Sequence, residues 1–186
     1  YQDVDGDGIP YRTYPGTHPS KGSYFTRGSS HDANAGYTED GDIYAEVMDR
    51  LALKFKTSVR YLPEPEVSNM QKNGLGIIFF GTTTSAIKEV LDRLAKKGIS
   101  LDTMRLKAFP FHPSVGSFIK NHDFIYVIEQ NRDAQLKSLL KIECNANEEK
   151  MRSILSYNGL LITAKKIEDE ILASLDRAEK TGDARA

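Results

Sequence analysis

From Leu75 onward, short apolar runs alternate with stretches in which apolar residues recur every three or four positions. Leu75-Gly76-Ile77-Ile78-Phe79-Phe80 reads as a buried strand, Gly81-Thr82-Thr83-Thr84-Ser85 as a corner, and Ile87, Val90, Leu91, Leu94 and Ala95 as the inner face of a helix that Gly98 ends. Met104 to Phe109 predicts a second strand, stopped by Pro110, and Ser114 to Asn121 a short helix facing inward through Val115, Phe118 and Ile119. The third strand, Phe124 to Ile128, meets a polar corner, Glu129-Gln130-Asn131-Arg132-Asp133, before a helix with apolar positions 136, 139, 140 and 142 that runs to about Cys144. A weaker fourth strand is expected over Ser153 to Tyr157, then a last helix from Thr163 to about Arg177 with Ile167, Ile171, Leu172 and Leu175 inward. Strands alternating with helices imply right-handed crossovers, hence an α/β fold in three layers: a mainly parallel sheet of about four to five strands with helices on both faces.

The preceding residues follow a different pattern. Positions 1–36 hold Gly, Pro, Ser, Thr, Asp and Tyr with almost no aliphatic content, so they predict an irregular arm without a core of its own. Ile43, Val47, Met48, Leu51 and Phe55 then recur at helical spacing, predicting a helix from about Thr38 to Lys56 started by Thr38-Glu39-Asp40. Pro63 and Pro65 make the next stretch an extended linker to Gly74. The expected division is therefore arm 1–36, helix and linker 37–73, and α/β domain 74–186.

Composition narrows the function classes. The 25 basic and 26 acidic residues are interspersed without a basic block, which argues against nucleic acid as a partner. No apolar run approaches the roughly 18 residues that span a bilayer, so no membrane partner is expected and a cytoplasmic location is the default. The single Cys144 supports neither an intrachain disulfide nor the four thiolates of an iron-sulfur cluster.

Candidate chemistry sits mostly in the arm. Asp3, Asp5 and Asp7, with Gly8 in the same run, have the alternate spacing that lets carboxylates converge on a hard cation. An EF-hand would need a bidentate Glu at its twelfth position, where Tyr14 stands, so a solvated turn loop competes with a metal site. Gly6-Asp7-Gly8 with Asn34 downstream has the approximate spacing of a magnesium-diphosphate motif, but lacks a buried strand before it and a helix within it. His18, His31, His112 and His122 show no metal-ligand spacing, and turn roles are expected for His112 and His122. The Thr82 to Ser85 corner reads as a helix cap that could also hold an anion, and Asp133 as the cap of the helix that follows it.

Several blocks carry a family resemblance. Ile77 to Thr82, Leu101-Asp102-Thr103-Met104-Arg105-Leu106-Lys107-Ala108-Phe109-Pro110-Phe111 and His122 to Leu136 resemble the C-terminal part of the alpha subunit of 2-oxoacid:ferredoxin oxidoreductases of the 2-oxoglutarate synthase type. Asp3 to Thr13 and Tyr14-Pro15-Gly16-Thr17-His18-Pro19 look like the stretch that joins that subunit's pyrimidine-binding domain to its transketolase-C-terminal-like domain. The resemblance covers almost the whole chain. It implies a pyrimidine-binding domain upstream of Tyr1 and a transketolase-C-terminal-like fold for the α/β domain.

The resemblance also implies a reaction: thiamine diphosphate with magnesium adds to a 2-oxo acid, carbon dioxide leaves, an iron-sulfur cluster passes electrons to ferredoxin, and coenzyme A takes the acyl group. The diphosphate ligands would lie on a beta subunit, so this chain is expected to bind none of these groups, to be inert alone and to work within an oligomer. Arg12, His18, Arg27 and His31 are donors suited to a 2-oxo acid's carboxylates, although Arg12 and Arg27 could equally pair with Asp32 or Asp40. Glu129, Asn131 and Arg132 are expected at a subunit contact. A second reading is a stand-alone regulatory α/β module that binds an anion or effector at the Thr82 to Ser85 corner; a third is a calcium-dependent interaction module on Asp3, Asp5 and Asp7.

Overall fold

The computed structural model describes residues 1–20, 22, 30–68 and 74–181. They divide into two compact units, Tyr1–Leu62 and Pro63–Ala186. Among the described residues no helix is long and apolar enough to cross a membrane.

In the first unit, strands β1 (Ser30–His31) and β2 (Tyr37–Thr38) pair antiparallel. Asp32 closes the turn between them, its Oδ1 accepting from the backbone N–H groups of Asn34 and Gly36 at 2.8 Å each. Helix α1 (Gly41–Ser58) begins at Asp40, which accepts from the N–H groups of Asp42 and Ile43, so the expected polar cluster does start the helix. Along its anticipated apolar face, Ile43, Val47 and Leu51 are half-buried, whereas Met48 and Phe55 remain exposed. The loop from Asp3 to Gly8 lies directly on this helix. Gly8 has φ +84°, and a Cβ there would come within 2.4 Å of the Lys54 backbone nitrogen. Only glycine permits that approach.

The second unit is the α/β domain. Its elements are β3 (Glu66–Ser68), β4 (Leu75–Phe80), α2 (Thr84–Ala95), β5 (Asp102–Leu106), α3 (Pro113–Asn121), β6 (Phe124–Glu129), α4 (Gln135–Cys144), β7 (Met151–Leu155) and α5 (Ala164–Thr181). The sheet order is β3-β5-β4-β6-β7; β3 is antiparallel to β5, and the remaining neighbours are parallel. The side-chain period of two divides each inner strand between two cores. Ile77, Phe79, Tyr126, Ile128 and Ile154 pack with α2 and α5 on one face, while Ile78, Met104, Ile125, Val127 and Met151 pack with α3 and α4 on the other. Because both faces are covered, β4 and β6 read as continuous apolar runs, which made them evident from sequence.

Two departures have physical causes. The linker after Pro65 contains β3, whose three exposed residues are too few to show alternation and whose edge position tolerates the neighbouring proline. Strand β5 starts at Asp102 rather than Met104 because Asp102, fully buried, meets His122 Nε2 at 3.1 Å. His122 Nδ1 lies 2.7 Å from the Phe118 carbonyl, and its ring stacks 4.1 Å from that of Phe118. Both ring nitrogens therefore lie within hydrogen-bond distance of an oxygen. His122 is thus a buried pairing residue across the amino ends of β5 and β6 rather than a simple turn residue.

Candidate functional site

The helices following β4 and β6 leave on opposite faces, so their carboxyl ends flank the topological switch point of the sheet, where α/β domains meet ligands. The Glu129 to Asp133 corner sits there. Its geometry is set first by helix α4, whose N-cap residue is Ala134, in the left-handed region at φ 51° and with no capping side chain. The sequence expectation placed Asp133 in that role, and the structure gives it to Glu129 and Asn131. Glu129 accepts from the N–H of Leu136 at 2.7 Å and from that of Lys137 at 3.1 Å, while Asn131 Oδ1 accepts from Gln135 N–H at 3.3 Å. The reason is directional: the left-handed turn at Ala134 aims the first-turn N–H groups back at the strand end, so a carboxylate on β6 meets the positive end of the helix.

This arrangement consumes much of the corner's polarity. Glu129 is fully buried and also accepts from Asn131 Nδ2 at 2.7 Å. Arg132, 73% exposed, pairs with its neighbour Asp133 at 2.7 Å. Of the three residues expected at an interface, Arg132 projects outward, whereas Glu129 holds α4 in place and Asn131 is half-buried beside it.

Gln130, which the sequence did not single out, ties the switch point together. Its Nε2 donates to the Thr82 hydroxyl at 2.8 Å and to that of Thr83 at 3.3 Å, and its Oε1 accepts from Ile162 N–H at 3.4 Å. One amide thus links the ends of β4 and β6 to the segment leading into α5. Thr84 donates to the Gly81 carbonyl at 2.7 Å, and the threonine corner supplies no side-chain cap to α2. Beside it opens a crevice of about 470 Å³ lined by Phe80, Leu106, Phe109, Phe111, Leu136 and Leu139, with Lys107, Asn131 and Gln135 as its polar side chains. Lys107 lies 2.5 Å from Glu66 and, with Arg105, holds that carboxyl below its usual range. The cavity is therefore mainly apolar and aromatic, and the cation at its rim is already paired.

In the first unit, Asp3, Asp5 and Asp7 do converge, each offering an oxygen within 4.8 Å of the others. Internal bonds already engage them. Asp3 accepts from the N–H groups of Asp7 (3.1 Å) and Gly8 (2.9 Å), Asp7 from Ile9 N–H at 2.8 Å, and Asp5 from the Tyr11 hydroxyl at 3.4 Å. The charge of Asp5 raises the exposed Tyr11 phenol above its ordinary pKa. Gly6-Asp7-Gly8 does not fit a magnesium-diphosphate group: Gly8 is pressed against the α1 backbone where phosphate would need space, and Asn34 Oδ1 accepts from Gln2 Nε2 at 3.0 Å.

The arm donors are spread out. Arg12 lies over the Tyr14 ring at 5.1 Å; His18 Nδ1 accepts from Ser20 N–H at 3.2 Å; His31 stacks on Tyr1 with ring centroids 4.3 Å apart. Arg27 falls outside the described residues.

The architecture defines the class: a doubly wound, mainly parallel α/β domain with an antiparallel edge strand, preceded by an arm and a helix. No family model and no curated protein matches the chain. Among solved structures it is similar to 2-oxoglutarate:ferredoxin oxidoreductase from Magnetococcus marinus, determined with 2-oxoglutarate, coenzyme A and succinyl-CoA bound, at a TM-score of 0.75 and 20% identity. That match covers 91% of this chain and 29% of that chain, so the chain spans under a third of its neighbour's length. The alpha chain of a probable 2-oxoacid ferredoxin oxidoreductase from Thermoplasma acidophilum matches at a TM-score of 0.42 and 22% identity, over 61% of this chain and 97% of that one. At 20% identity the likeness to the Magnetococcus marinus structure is one of fold, and that neighbour is of the family that the sequence resembles.

Proposed function

We propose that this chain is the C-terminal part of the alpha subunit of a thiamine-diphosphate-dependent 2-oxoacid:ferredoxin oxidoreductase of the 2-oxoglutarate type, which decarboxylates its substrate oxidatively to an acyl-CoA. The observation that carries this reading is the extent of the fold likeness. A match over 91% of the chain cannot be met by Pro63–Ala186 alone, so it takes in the first unit as well as the common α/β domain. The blocks that carry the sequence resemblance lie in both units.

On this reading the chain shapes and assembles the enzyme, and it is inert alone. Thiamine diphosphate, magnesium, the iron-sulfur cluster and coenzyme A belong to other parts of the complex, and ferredoxin is met through them. The carboxyl edge of the sheet is the docking edge for the beta subunit, with Arg132 and the aromatic crevice as its accessible parts and Glu129 and Asn131 as its frame. Arg12, His18, Arg27 and His31 are the donors proposed for the substrate's carboxylates. The crevice favours an apolar or aromatic side chain over an anion, which weakens the reading as an anion-binding regulatory module.

The test is co-expression of the full-length alpha polypeptide with a thiamine-diphosphate-binding beta partner, followed by an assay of 2-oxo-acid-dependent reduction of a viologen dye. Co-purification with dye reduction is expected. A chain that neither co-purifies nor supports reduction with pyruvate, 2-oxoglutarate or branched-chain 2-oxo acids overturns the proposal.

A further inference from the structure

Two asparagines in the chain are followed by glycine, in Asn73-Gly74 and Asn158-Gly159. That step is labile, because a glycine nitrogen with no side chain beside it can reach back to the asparagine's side-chain carbon and close a five-membered ring. The two glycines share φ +81°, so their surroundings are what distinguishes them. Gly74 is half-buried, and its carbonyl accepts from the N–H groups of Asp123 at 2.8 Å and Phe124 at 3.1 Å. A Cβ on Gly74 would come within 2.4 Å of Asp123 Oδ2. The bonds hold this glycine in place, and the carboxylate beside it opposes loss of its amide proton. Asn73 falls outside the described residues.

The second step is open. Asn158 and Gly159 are exposed between β7 and α5, and a Cβ on Gly159 would meet nothing within 4 Å. Asn158 also lines an open groove of about 510 Å³, so water reaches it. Its Oδ1 accepts from the N–H of Leu160 at 3.1 Å. That donor polarises the side-chain carbonyl and is already in place as negative charge gathers on the oxygen during attack.

We propose that Asn158 is a site of spontaneous, backbone-directed deamidation to aspartate and isoaspartate. The Gly159 nitrogen gives its proton to hydroxide and attacks Asn158 Cγ. The new C–N bond closes an imide while the Cγ–Nδ2 bond breaks, and Nδ2 takes a proton from water and leaves as ammonia. A second water opens the ring at either carbonyl, so the net change is one water consumed and one ammonia released. Opening at the former main-chain carbonyl routes the backbone through Cβ and Cγ of residue 158. The product carries one extra main-chain atom and one added negative charge, and the Leu160 contact in its present form is lost. The exposed side chains of Tyr157, Leu160 and Leu161 are thereby re-aimed. Both ends of the turn are tied to β6 and its corner, Ser156 N–H to the Glu129 carbonyl at 3.0 Å and Ile162 N–H to Gln130 Oε1 at 3.4 Å, so the change stays within 157–161.

The experiment uses the 186-residue chain, incubated both folded and in urea at about pH 8, where hydroxide is available to take the amide proton. Mass spectrometry of its peptides locates each gain of about 1 Da and separates aspartate from isoaspartate. In the folded chain Asn158 should convert about tenfold or more faster than Asn73, because Gly74 reacts only after local opening. In urea the two rates should come within about threefold of each other, since the surroundings that distinguish them are gone. Asn158→Gln, whose ring would need six members, should stay unmodified over the same period. An intact Asn158, equal rates at the two sites in the folded chain, or a preference for Asn158 that survives undiminished in urea overturns the inference.

Discussion

Replacing Glu129 separates two roles for the residue, because a docking carboxylate and a helix-holding carboxylate fail in different experiments. In Glu129→Ala the N–H groups of Leu136 and Lys137 lose their acceptors, now 2.7 and 3.1 Å away, and Asn131 Nδ2 loses its partner at 2.7 Å. The site is closed to water on the strand side, since Glu129 and Leu136 are both buried. Each stranded buried donor costs about 1–3 kcal/mol, and loss of the favourable charge at the helix N-terminus adds about 0.3–1 kcal/mol. Partial relaxation of the first turn brings the expected total to about 3 kcal/mol, above the roughly 0.5–2 kcal/mol of a single lost cap because three donors lose their acceptor. For a chain of this size that lowers the melting temperature by about 6–12 °C. Glu129→Gln keeps one acceptor oxygen but turns an NH2 group toward a backbone donor, so it falls between alanine and wild type.

The assay is urea and thermal unfolding of the isolated chain, with hydrogen exchange at Leu136 and Lys137. Arg132→Ala is the control: Arg132 is 73% exposed and pairs with its neighbour Asp133 at the surface, so about 0–0.5 kcal/mol is expected from its loss. If Glu129→Ala unfolds within about 0.5 kcal/mol of wild type, or the two amides exchange at unchanged rates, the carboxylate does not hold the helix and the reasoning fails.

Gly8→Ala should destabilise the first unit far more than Gly6→Ala. Both glycines have positive φ, but a Cβ at Gly6 meets nothing within 4 Å whereas one at Gly8 meets backbone at 2.4 Å. Strain alone costs about 1–2 kcal/mol, and overpacking against α1 adds about 1–3 kcal/mol, read as faster proteolysis of residues 1–20 and faster α1 exchange; equal effects would refute the packing argument. Tyr126 is fully buried, and burial pushes its phenol above the ordinary value, against the opposing pull of the Ser174 hydroxyl and the Arg152 and Arg177 charges. A raised folded pKa gives a contribution that is complete below the unfolded value of about 10 and is lost as pH rises through the folded one. Tyr126→Phe should therefore lose less stability than wild type on moving from about pH 9 to about pH 11, and parallel pH profiles would contradict this.

The inner strands were legible because residues such as Ile77, Ile78, Ile125 and Val127 must face apolar layers on both sides, which leaves an unbroken run. The capping of α4 was not. Polar residues after a strand read as surface, and the contact from Glu129 to Lys137 depends on the left-handed turn at Ala134, which an alanine does not announce. A usable signal did exist: the residue before Gln135 is an alanine, so the helix had no local cap and needed an acceptor from elsewhere. Gln130 reaching Thr82, and Asp102 reaching His122, join residues 48 and 20 positions apart, and no local pattern encodes such pairs. The hairpin β1–β2 and the edge strand β3 escaped notice because two or three residues cannot display a period.

Internal pairing changes what the carboxyl edge can offer a partner. With Glu129 and Asn131 committed to α4, Gln130 to the threonine corner, Arg132 to Asp133 and Lys107 to Glu66, the charges there are largely neutralised within the chain. What remains exposed and unspent is aromatic: Phe80 and Phe109 at the mouth of the crevice, 43% and 45% accessible. Association at this edge would draw its free energy mainly from burying those rings, with the polar corner giving shape and register. The corner is fixed before any partner arrives, so little loop-ordering entropy is lost on docking. Substituting Phe109 should therefore weaken a complex with the proposed beta subunit more than substituting Arg132, the reverse of the ranking that the polar sequence of the corner suggests.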